Sequence, residues 1–428
     1  MKKIRIETIG CKVNFAESER MKEIFIAQGY SIAKDDDEVD LILINTCTVT
    51  GKAERDARKI IRRLKREHPT AVIIAAGCMS EFNPTKTAEI LEVDAVLGQS
   101  EKYKAPFIID EIIKGNLPRI LINTELEPEF EFAASYDPEN RSRGFLKLQD
   151  GCDYYCTYCA VAYSRGQSRS MDFDEIIPAL NKIRSAGFRE IVISGINLGT
   201  YSDKGKNFSD VIELIAQSEL DIRVRISSIE PNLLTDEILE LTAKSEKICP
   251  HFHIPLQSGS DTILKEMHRR YNTDFFEKLI LKIKSRIPDC CLGIDVITGF
   301  PGETDALFQE TYDFLNSLPI SYLHVFSYSE RKGTPAAEMA GKVSEFDKKQ
   351  RTRKLLLLSD KKKEEFYRSQ LDKEFFVIPE YKPPSKIAFG WTENYVRTKF
   401  FINDYNADII RLKVDSIDVD GVAKAVIF

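Results

Sequence analysis

Along roughly the first quarter of the chain, short β-branched runs alternate with stretches whose apolar positions recur at helical spacing. Ile4–Thr8, Leu41–Ile44, Ala71–Ala75 and Ala95–Leu97 read as strands, with helices near Glu17–Gln28, Lys52–Glu67, Thr85–Leu91 and Tyr103–Lys114. Such βα alternation predicts an α/β domain over residues 1–123 built on a doubly wound parallel sheet. Residues 124–143 carry Glu125, Glu127, Glu129, Glu131, Asp137 and Glu139 with little periodicity and read as a linker crossing the surface. The alternation resumes over 144–369, with strands near Phe145–Leu148, Glu190–Ser194, Arg223–Ser227, His251–Pro255, Leu292–Thr298 and Tyr322–Phe326. Helices are expected near Glu175–Ala186, Asp210–Gln217, Asp236–Ala243, Thr262–His268, Asp274–Arg286 and Leu307–Leu315, which makes this a partial, TIM-like (βα)6 barrel. Residues 370–428 change to short β runs separated by turns, among them Phe375–Ile378, Val396–Phe400, Ile409–Val414 and Val422–Ile427, and predict a small antiparallel β-barrel.

Composition narrows the class. A chain of 428 residues with 43% hydrophobic content can bury several cores. No apolar run approaches the ~20 residues needed to span a bilayer, and the N-terminus alternates like a strand, so a cytoplasmic, membrane-free protein is expected. Nine cysteines in a reducing compartment then point to metal or catalysis rather than disulfides. Net charge is −6, against nucleic acid as a partner, but the charge is uneven. Lys52–Arg66 carries eight cations against two anions around an apolar stripe of Ala57, Ile60, Ile61 and Leu64, which suggests a polyanionic partner for Arg55, Arg58 and Arg62. In the last module Trp391, Arg397 and Lys399 are candidate RNA contacts, although eight Lys and Arg face nine Asp and Glu there.

The cysteines carry the chemistry. Cys152, Cys156 and Cys159 stand at CxxxCxxC spacing just past the barrel's first strand, on the rim where such barrels gather chemistry. Three thiolates can hold three irons of a cubane and leave the fourth open, whereas a zinc site expects a fourth Cys or His at similar spacing, and none is nearby. Cys11, Cys47 and Cys78 follow the first three predicted strands of the N-terminal domain; in a parallel sheet those strand ends share one edge, so a second three-cysteine set is predicted. Cys249, Cys290 and Cys291 precede strands and read as core residues, and His251 and His253 as packed strand residues.

The CxxxCxxC spacing resembles the signature of the radical S-adenosylmethionine (SAM) enzymes, where the open iron chelates SAM. Two tri-cysteine sets followed by a small β module resemble, over essentially the whole chain, the methylthiotransferases of that superfamily. Within them, Gly10-Cys11-Lys12-Val13-Asn14 looks like the branch acting on threonylcarbamoyladenosine beside the tRNA anticodon; Phe326-Ser327-Tyr328-Ser329 with Gly333-Thr334-Pro335-Ala336 looks like the family barrel's last strand. The last module is similar to the family's TRAM domain. The resemblance implies two 4Fe–4S clusters, held by Cys152, Cys156 and Cys159 and by Cys11, Cys47 and Cys78, all six catalytic. It implies SAM as methyl donor and radical source, with Tyr158 at the adenine, the Ser194–Gly195 strand end near the methionine amino group, and Asn197 and Glu230 on cofactor or substrate. It further implies a tRNA anticodon stem-loop as partner, a flavodoxin-like or other low-potential electron donor, and a monomer. The rival readings are the branches acting on isopentenyladenosine or on an aspartate of a ribosomal protein and, from another class, a non-catalytic iron–sulfur RNA-binding or redox-sensing protein.

Overall fold

The strand Leu41–Thr46 is buried along its whole length because it sits mid-sheet with a helical layer on each side. Leu41 and Leu43 pack against Met21 and Phe25 of one layer, while Ile42 and Ile44 pack against Ala57, Ile61 and Leu64 of the other. In the computed structural model, which describes residues 2–34, 37–123, 130–136, 142–380, 385–402 and 409–427, this strand is β3 of a six-stranded parallel sheet. The strands are β1 (Lys3–Thr8), β2 (Ser31–Ile32), β3, β4 (Val72–Gly77), β5 (Ala95–Leu97) and β6 (Ile120–Leu121), in the order β2-β1-β3-β4-β5-β6. Helices α1 (Lys12–Ala27), α2 (Gly51–Glu67), α3 (Cys78–Phe82), α4 (Pro84–Ala88) and α5 (Ala105–Ile113) connect them. The strand order reverses between β1 and β3, and open α/β sheets place their ligands at that crevice.

The central domain has six parallel strands in two groups of three. β7 (Arg143–Lys147), β8 (Glu190–Ser194) and β9 (Arg223–Ile226) form the first; β10 (His251–Gln257), β11 (Cys291–Thr298) and β12 (Tyr322–Ser327) form the second. Single parallel bridges, Val224 to Ile248 and Ser228 to His253, join them. The short helix α6 (Val161–Arg165) follows the cysteine loop, and α7 (Ile176–Ser185), α8 (Phe208–Gln217), α9 (Asp236–Lys244), α10 (Asp261–Glu266), α11 (Thr273–Arg286) and α12 (Asp305–Ser317) surround the strands. Leu146, Ile191, Ile193, Val224, Ile254, Ile294 and Leu323 alternate outward into that helical layer, which leaves the intervening residues to line the lumen. Strands β7 and β12 do not pair, and α1 lies along β7 with Phe15 stacked on Phe145 at 6.3 Å.

Of the acidic residues read as linker, Glu125, Glu127, Glu129, Asp137 and Glu139 lie outside the described residues. The segment 130–136 differs from a surface crossing: Ala133 and Ala134 are buried, and the Ser135 amide donates to Phe145 O (2.9 Å) while that of Lys147 donates to Ala133 O (2.9 Å).

After α13 (Glu345–Arg368) comes a closed barrel of β13 (Glu374–Glu380), β14 (Ile387–Thr392), β15 (Arg397–Phe401), β16 (Ile410–Ile417) and β17 (Ala423–Ile427). Its pairings are antiparallel except for the parallel β15–β17 contact. This barrel plugs the N-terminal end of the central strands: Arg225 donates to Glu393 O (3.0 Å) and Thr392 O (3.1 Å), and Tyr395 stacks on His251 at 4.2 Å.

Candidate active site

Each N-terminal cysteine sits where the sequence expects it. Cys11 caps the start of α1, Cys47 follows β3, and Cys78 opens α3 directly after β4. The loops are tight. Gly10 has φ +116°, and a Cβ there would lie 2.6 Å from the Cβ of Cys47, so only glycine lets the first loop approach the second. Cys11 is the exposed member of the set, while burial together with Cys78 and Cys11 pushes the Cys47 thiol up to about 12. The Gln99 Nε2–H donates to Cys78 Sγ (3.0 Å) and the Val49 amide to Cys47 Sγ (3.5 Å).

The second trio is held by contacts within its own segment, from the end of α10 and from the segment after β12. Gly151 has φ +74°, the Cys152 amide donates to Gly166 O (3.0 Å), Thr157 Oγ1 donates to Glu266 O (2.8 Å) and the Ala336 amide donates to Thr157 O (2.9 Å). Burial raises Cys152 to about 11; burial and the neighbouring Cys156 raise Cys159 to about 12. All nine cysteines are free thiols. In each set three free thiols from neighbouring loops meet without a disulfide, which is the soft donor set an iron–sulfur cluster takes, so both sets fit one.

The two trios open beside one another, because α3, which begins at Cys78, packs on α6, which follows Cys159. The junction is cemented by buried charge. Glu17 of α1 accepts from Lys102 (2.6 Å), Arg165 (2.9 Å) and Lys147 (3.3 Å), and Asp150 accepts from Arg165 (2.9 Å), Lys147 (3.3 Å) and Arg169 (3.1 Å). Arg165 Nη2 also donates to Asn14 Oδ1 (2.7 Å), three residues after Cys11. A second clasp links Arg331, past β12, to Glu54 of α2 (2.6 Å); Nε and Nη2 of Arg331 are buried with no partner among the described residues.

The residues expected at SAM sort as follows. Tyr158 is half-buried against Met267, Ile297, Phe300 and Tyr328, and burial raises its hydroxyl well above the usual range. Ser194 Oγ donates to Leu146 O (3.0 Å). Gly195 leaves room for Gln149, whose Oε1 accepts from the amides of Ile196 (2.9 Å) and Asn197 (2.8 Å). Both polar atoms of the Asn197 side chain are buried and unpaired, which fits a site that receives a polar ligand. Burial raises the Glu230 carboxyl while its ion pair to Arg269 opposes that rise. Arg269 also donates to Cys156 Sγ (3.2 Å) and Pro255 O (3.2 Å), and so ties the cysteine loop to the fourth strand end.

Sequence reasoning missed Gln149, Arg165, Arg269 and Arg331, which are single polar residues without a motif of their own. Cys249, Cys290 and Cys291 are buried as expected. His251 is packed between Tyr322 and Tyr395. His253 faces the lumen, bonded to Ser228 Oγ (2.8 Å) and Asp295 Oδ1 (2.8 Å), with His324 3.4 Å from Asp295.

The RNA candidates fall in two places. Arg55 and Arg62 are exposed and Arg58 half-buried on α2, which starts four residues after Cys47. Trp391, Arg397 and Lys399 lie in the C-terminal barrel. Trp391 stacks on Tyr395 (4.3 Å), Arg397 lies over the Trp391 ring and pairs with Glu380 (2.5 Å), and Lys399 pairs with Asp418 (3.3 Å). The Trp391 carbonyl accepts from Arg223, at the end of the central strands opposite the cysteine loop.

Comparison with known proteins agrees with this architecture. Residues 146–315 match the Radical SAM superfamily and residues 3–98 match Uncharacterized protein family UPF0004. The threonylcarbamoyladenosine tRNA methylthiotransferase MtaB of Bacillus subtilis is 38% identical over 97% of this chain and 94% of its own. That of Thermotoga maritima is 36% identical over 99% and 96%. The tRNA-2-methylthio-N(6)-dimethylallyladenosine synthase of Endomicrobium trichonymphae is 34% identical over 83% of each chain. Among solved structures, the radical SAM methyltransferase TsrM of Kitasatospora setae, 13% identical, superposes with a TM-score of 0.58 over 79% of this chain and 77% of its own, which shows a shared fold. No helix among the described residues is long and apolar enough to cross a membrane. With relatives this similar along nearly its full length, the chain belongs to the radical SAM methylthiotransferase family, whose cofactors are 4Fe–4S clusters and SAM.

Proposed function

We propose that this enzyme converts N6-threonylcarbamoyladenosine next to the tRNA anticodon to its 2-methylthio derivative, working in the cytoplasm as a monomer supplied by a flavodoxin-like or other low-potential donor. The observation that carries this reading is the packing of α3 on α6, which sets the Cys11–Cys47–Cys78 trio beside the Cys152–Cys156–Cys159 trio. The relatives acting on threonylcarbamoyladenosine, at 34–38% identity over most of the chain, support the choice of base.

C2 of the adenine bears a hydrogen that no side-chain base in the usual pKa range removes as a proton at a useful rate. When bound, two open-iron clusters and SAM supply a 5′-deoxyadenosyl radical, sulfur and a methyl group. The protein's own residues do the rest. Each trio holds one cluster at a strand-end edge. Gln149 fixes the β8 strand end by accepting the backbone amide hydrogens of Ile196 and Asn197, and the unpaired side-chain carboxamide of Asn197 is available to bind a polar ligand. Tyr158 offers a ring face to the adenine of SAM, with the Ser194–Gly195 strand end and Glu230 toward its amino group and ribose. Arg269 holds Glu230 and the Cys156 loop in register. Arg55, Arg58 and Arg62 offer cations to phosphates beside the rim. The base must leave its stack to reach this chamber, and an anticodon loop opens at lower cost than a paired stem.

The dimethylallyladenosine synthase at 34% identity supports isopentenyladenosine as the second reading. Nucleoside mass spectrometry of tRNA from a deletion strain, with and without the gene restored, separates the two. Loss of 2-methylthio-threonylcarbamoyladenosine is expected; an unchanged level, or loss of the isopentenyl product instead, overturns the choice of base.

A further inference from the structure

We propose that Tyr155 and Tyr163 form a shelf on which an unpaired base of the RNA loop stacks, next to the base being modified. The inference rests on the tRNA reading above and concerns how the loop is held rather than what is done to it.

The two rings meet edge to face, with centroids 5.7 Å apart and planes at 81°, and Phe82 lies 6.4 Å from Tyr163. Tyr155 sits between Cys152 and Cys156, Tyr163 lies on α6 just past Cys159, and Phe82 ends the helix that Cys78 begins. The aromatic group therefore bridges the two cysteine sets at their mouth. Tyr155 is 46% exposed and Tyr163 41% exposed. Tyr155 adopts φ +47°, a left-handed conformation that disfavours a bulky residue. Its neighbour shows the contrast. The Tyr154 hydroxyl accepts from Asn232 (3.0 Å) and its ring is covered by Arg270 at 3.7 Å, so Tyr154 is pinned within the fold. Tyr155 and Tyr163 make no hydrogen bond through their hydroxyls among the described residues, and one face of the pair is open.

Charge identifies the occupant. Beside Phe82 a cavity of about 450 Å³ is lined by four cations and three carboxylates; Lys342 pairs with Glu330 and Arg331 with Glu54, while Lys86 and Lys332 have no ion pair among the described residues, and Arg270 beside Tyr154 is exposed. Exposed rings flanked by cations suit a single-stranded nucleic acid, whose bases stack on aromatic faces while its phosphates meet Lys and Arg. An apolar protein segment would use the rings and leave Lys86 and Lys332 unmatched.

The test uses the cluster-loaded enzyme and an anticodon stem-loop RNA carrying 2-aminopurine on the 3′ side of the target adenosine. Wild type should quench the fluorophore on binding. Tyr155→Leu and Tyr163→Leu keep apolar bulk but lose the ring, and each should weaken binding about tenfold and abolish the quench. Tyr163→Phe should restore both. Tyr155 lies inside the cysteine loop, so iron content is measured alongside, and Tyr163→Leu carries the decision if iron falls in Tyr155→Leu. Leu variants that bind and quench like wild type would overturn the shelf while leaving the substrate reading intact. Wild-type enzyme that neither binds nor converts the stem-loop would overturn the substrate reading and the shelf with it.

Discussion

Nη1 of Arg165, on the helix that follows the barrel cysteines, lies 2.9 Å from Oε1 of Glu17, on the helix that follows Cys11. Both side chains are about 99% buried, and Lys102 and Lys147 complete the shell around the carboxylate. Although burial opposes ionisation, these three cations hold Glu17 well below the usual carboxylate range. Breaking such a pair from one side strands buried charge and costs about 3–5 kcal/mol. Glu17→Gln should therefore lower unfolding stability by that order at pH 7 and loosen the N-terminal domain from the barrel. The folded pKa is depressed, so the ionic contribution is complete above the unfolded value of about 4.3 and fades as pH falls through the folded one. Denaturant melts of both proteins should converge as pH is lowered through that window; a constant gap across it would count against the ionic account.

Arg269 and Glu230 make a second dependent pair, this one inside the barrel. Arg269→Ala leaves a buried carboxylate without its partner and removes the Arg269 donor from Cys156 Sγ, while Pro255 O keeps the Tyr271 hydroxyl. A loss of about 3 kcal/mol is expected. Adding Glu230→Gln removes the stranded charge, so the double variant should be more stable than Arg269→Ala alone by over about 1 kcal/mol. Strict additivity in a denaturation cycle would show that the ion pair carries no coupling.

The two trios should also be separable by iron analysis. Cys11→Ala should retain about half the iron and still release 5′-deoxyadenosine under reduction, but give no methylthio product. Cys156→Ala should likewise lose about half the iron and should release no deoxyadenosine. Loss of SAM cleavage in Cys11→Ala would remove the division of labour between the trios.

Much of this arrangement is legible in the chain because parallel strands buried on both faces are rich in apolar residues, as in the Leu41–Ile44 run that opens the strand Leu41–Thr46. Cysteines placed just after such runs then share an edge by topology alone. Strands without that signal escaped. Ser31–Ile32 and Ile120–Leu121 are two residues long, and Ile387–Thr392 contains Gly390. The helix Cys78–Phe82 is too short to show a period, yet it joins the two cysteine sets. Arg165, Arg269 and Gln149 act through partners up to about 150 residues away, which no local pattern encodes. Trp391 and Arg397 carry the composition of an RNA contact, but they stack on each other and on Tyr395 where the small barrel meets the central one.

Gly151 offers the sharpest test of how the cluster loop is built. Its φ of +74° alone would cost an alanine about 1 kcal/mol. The larger penalty is steric, because a Cβ there would lie 1.9 Å from the Gln167 carbonyl oxygen and 2.5 Å from its carbonyl carbon. Those are backbone atoms of the segment whose Gly166 carbonyl accepts the Cys152 amide at 3.0 Å, so relief must come from moving Cys152. Gly115 provides the control, with φ +79° and nothing within 4 Å of a built Cβ. Gly115→Ala should lose about 1 kcal/mol and keep its full iron content. Gly151→Ala should fall to the iron content of Cys156→Ala while its N-terminal trio remains loaded. Equal iron in the two glycine variants would mean that the loop yields without displacing its first cysteine, and that the glycine before Cys152 is there for its backbone angle alone.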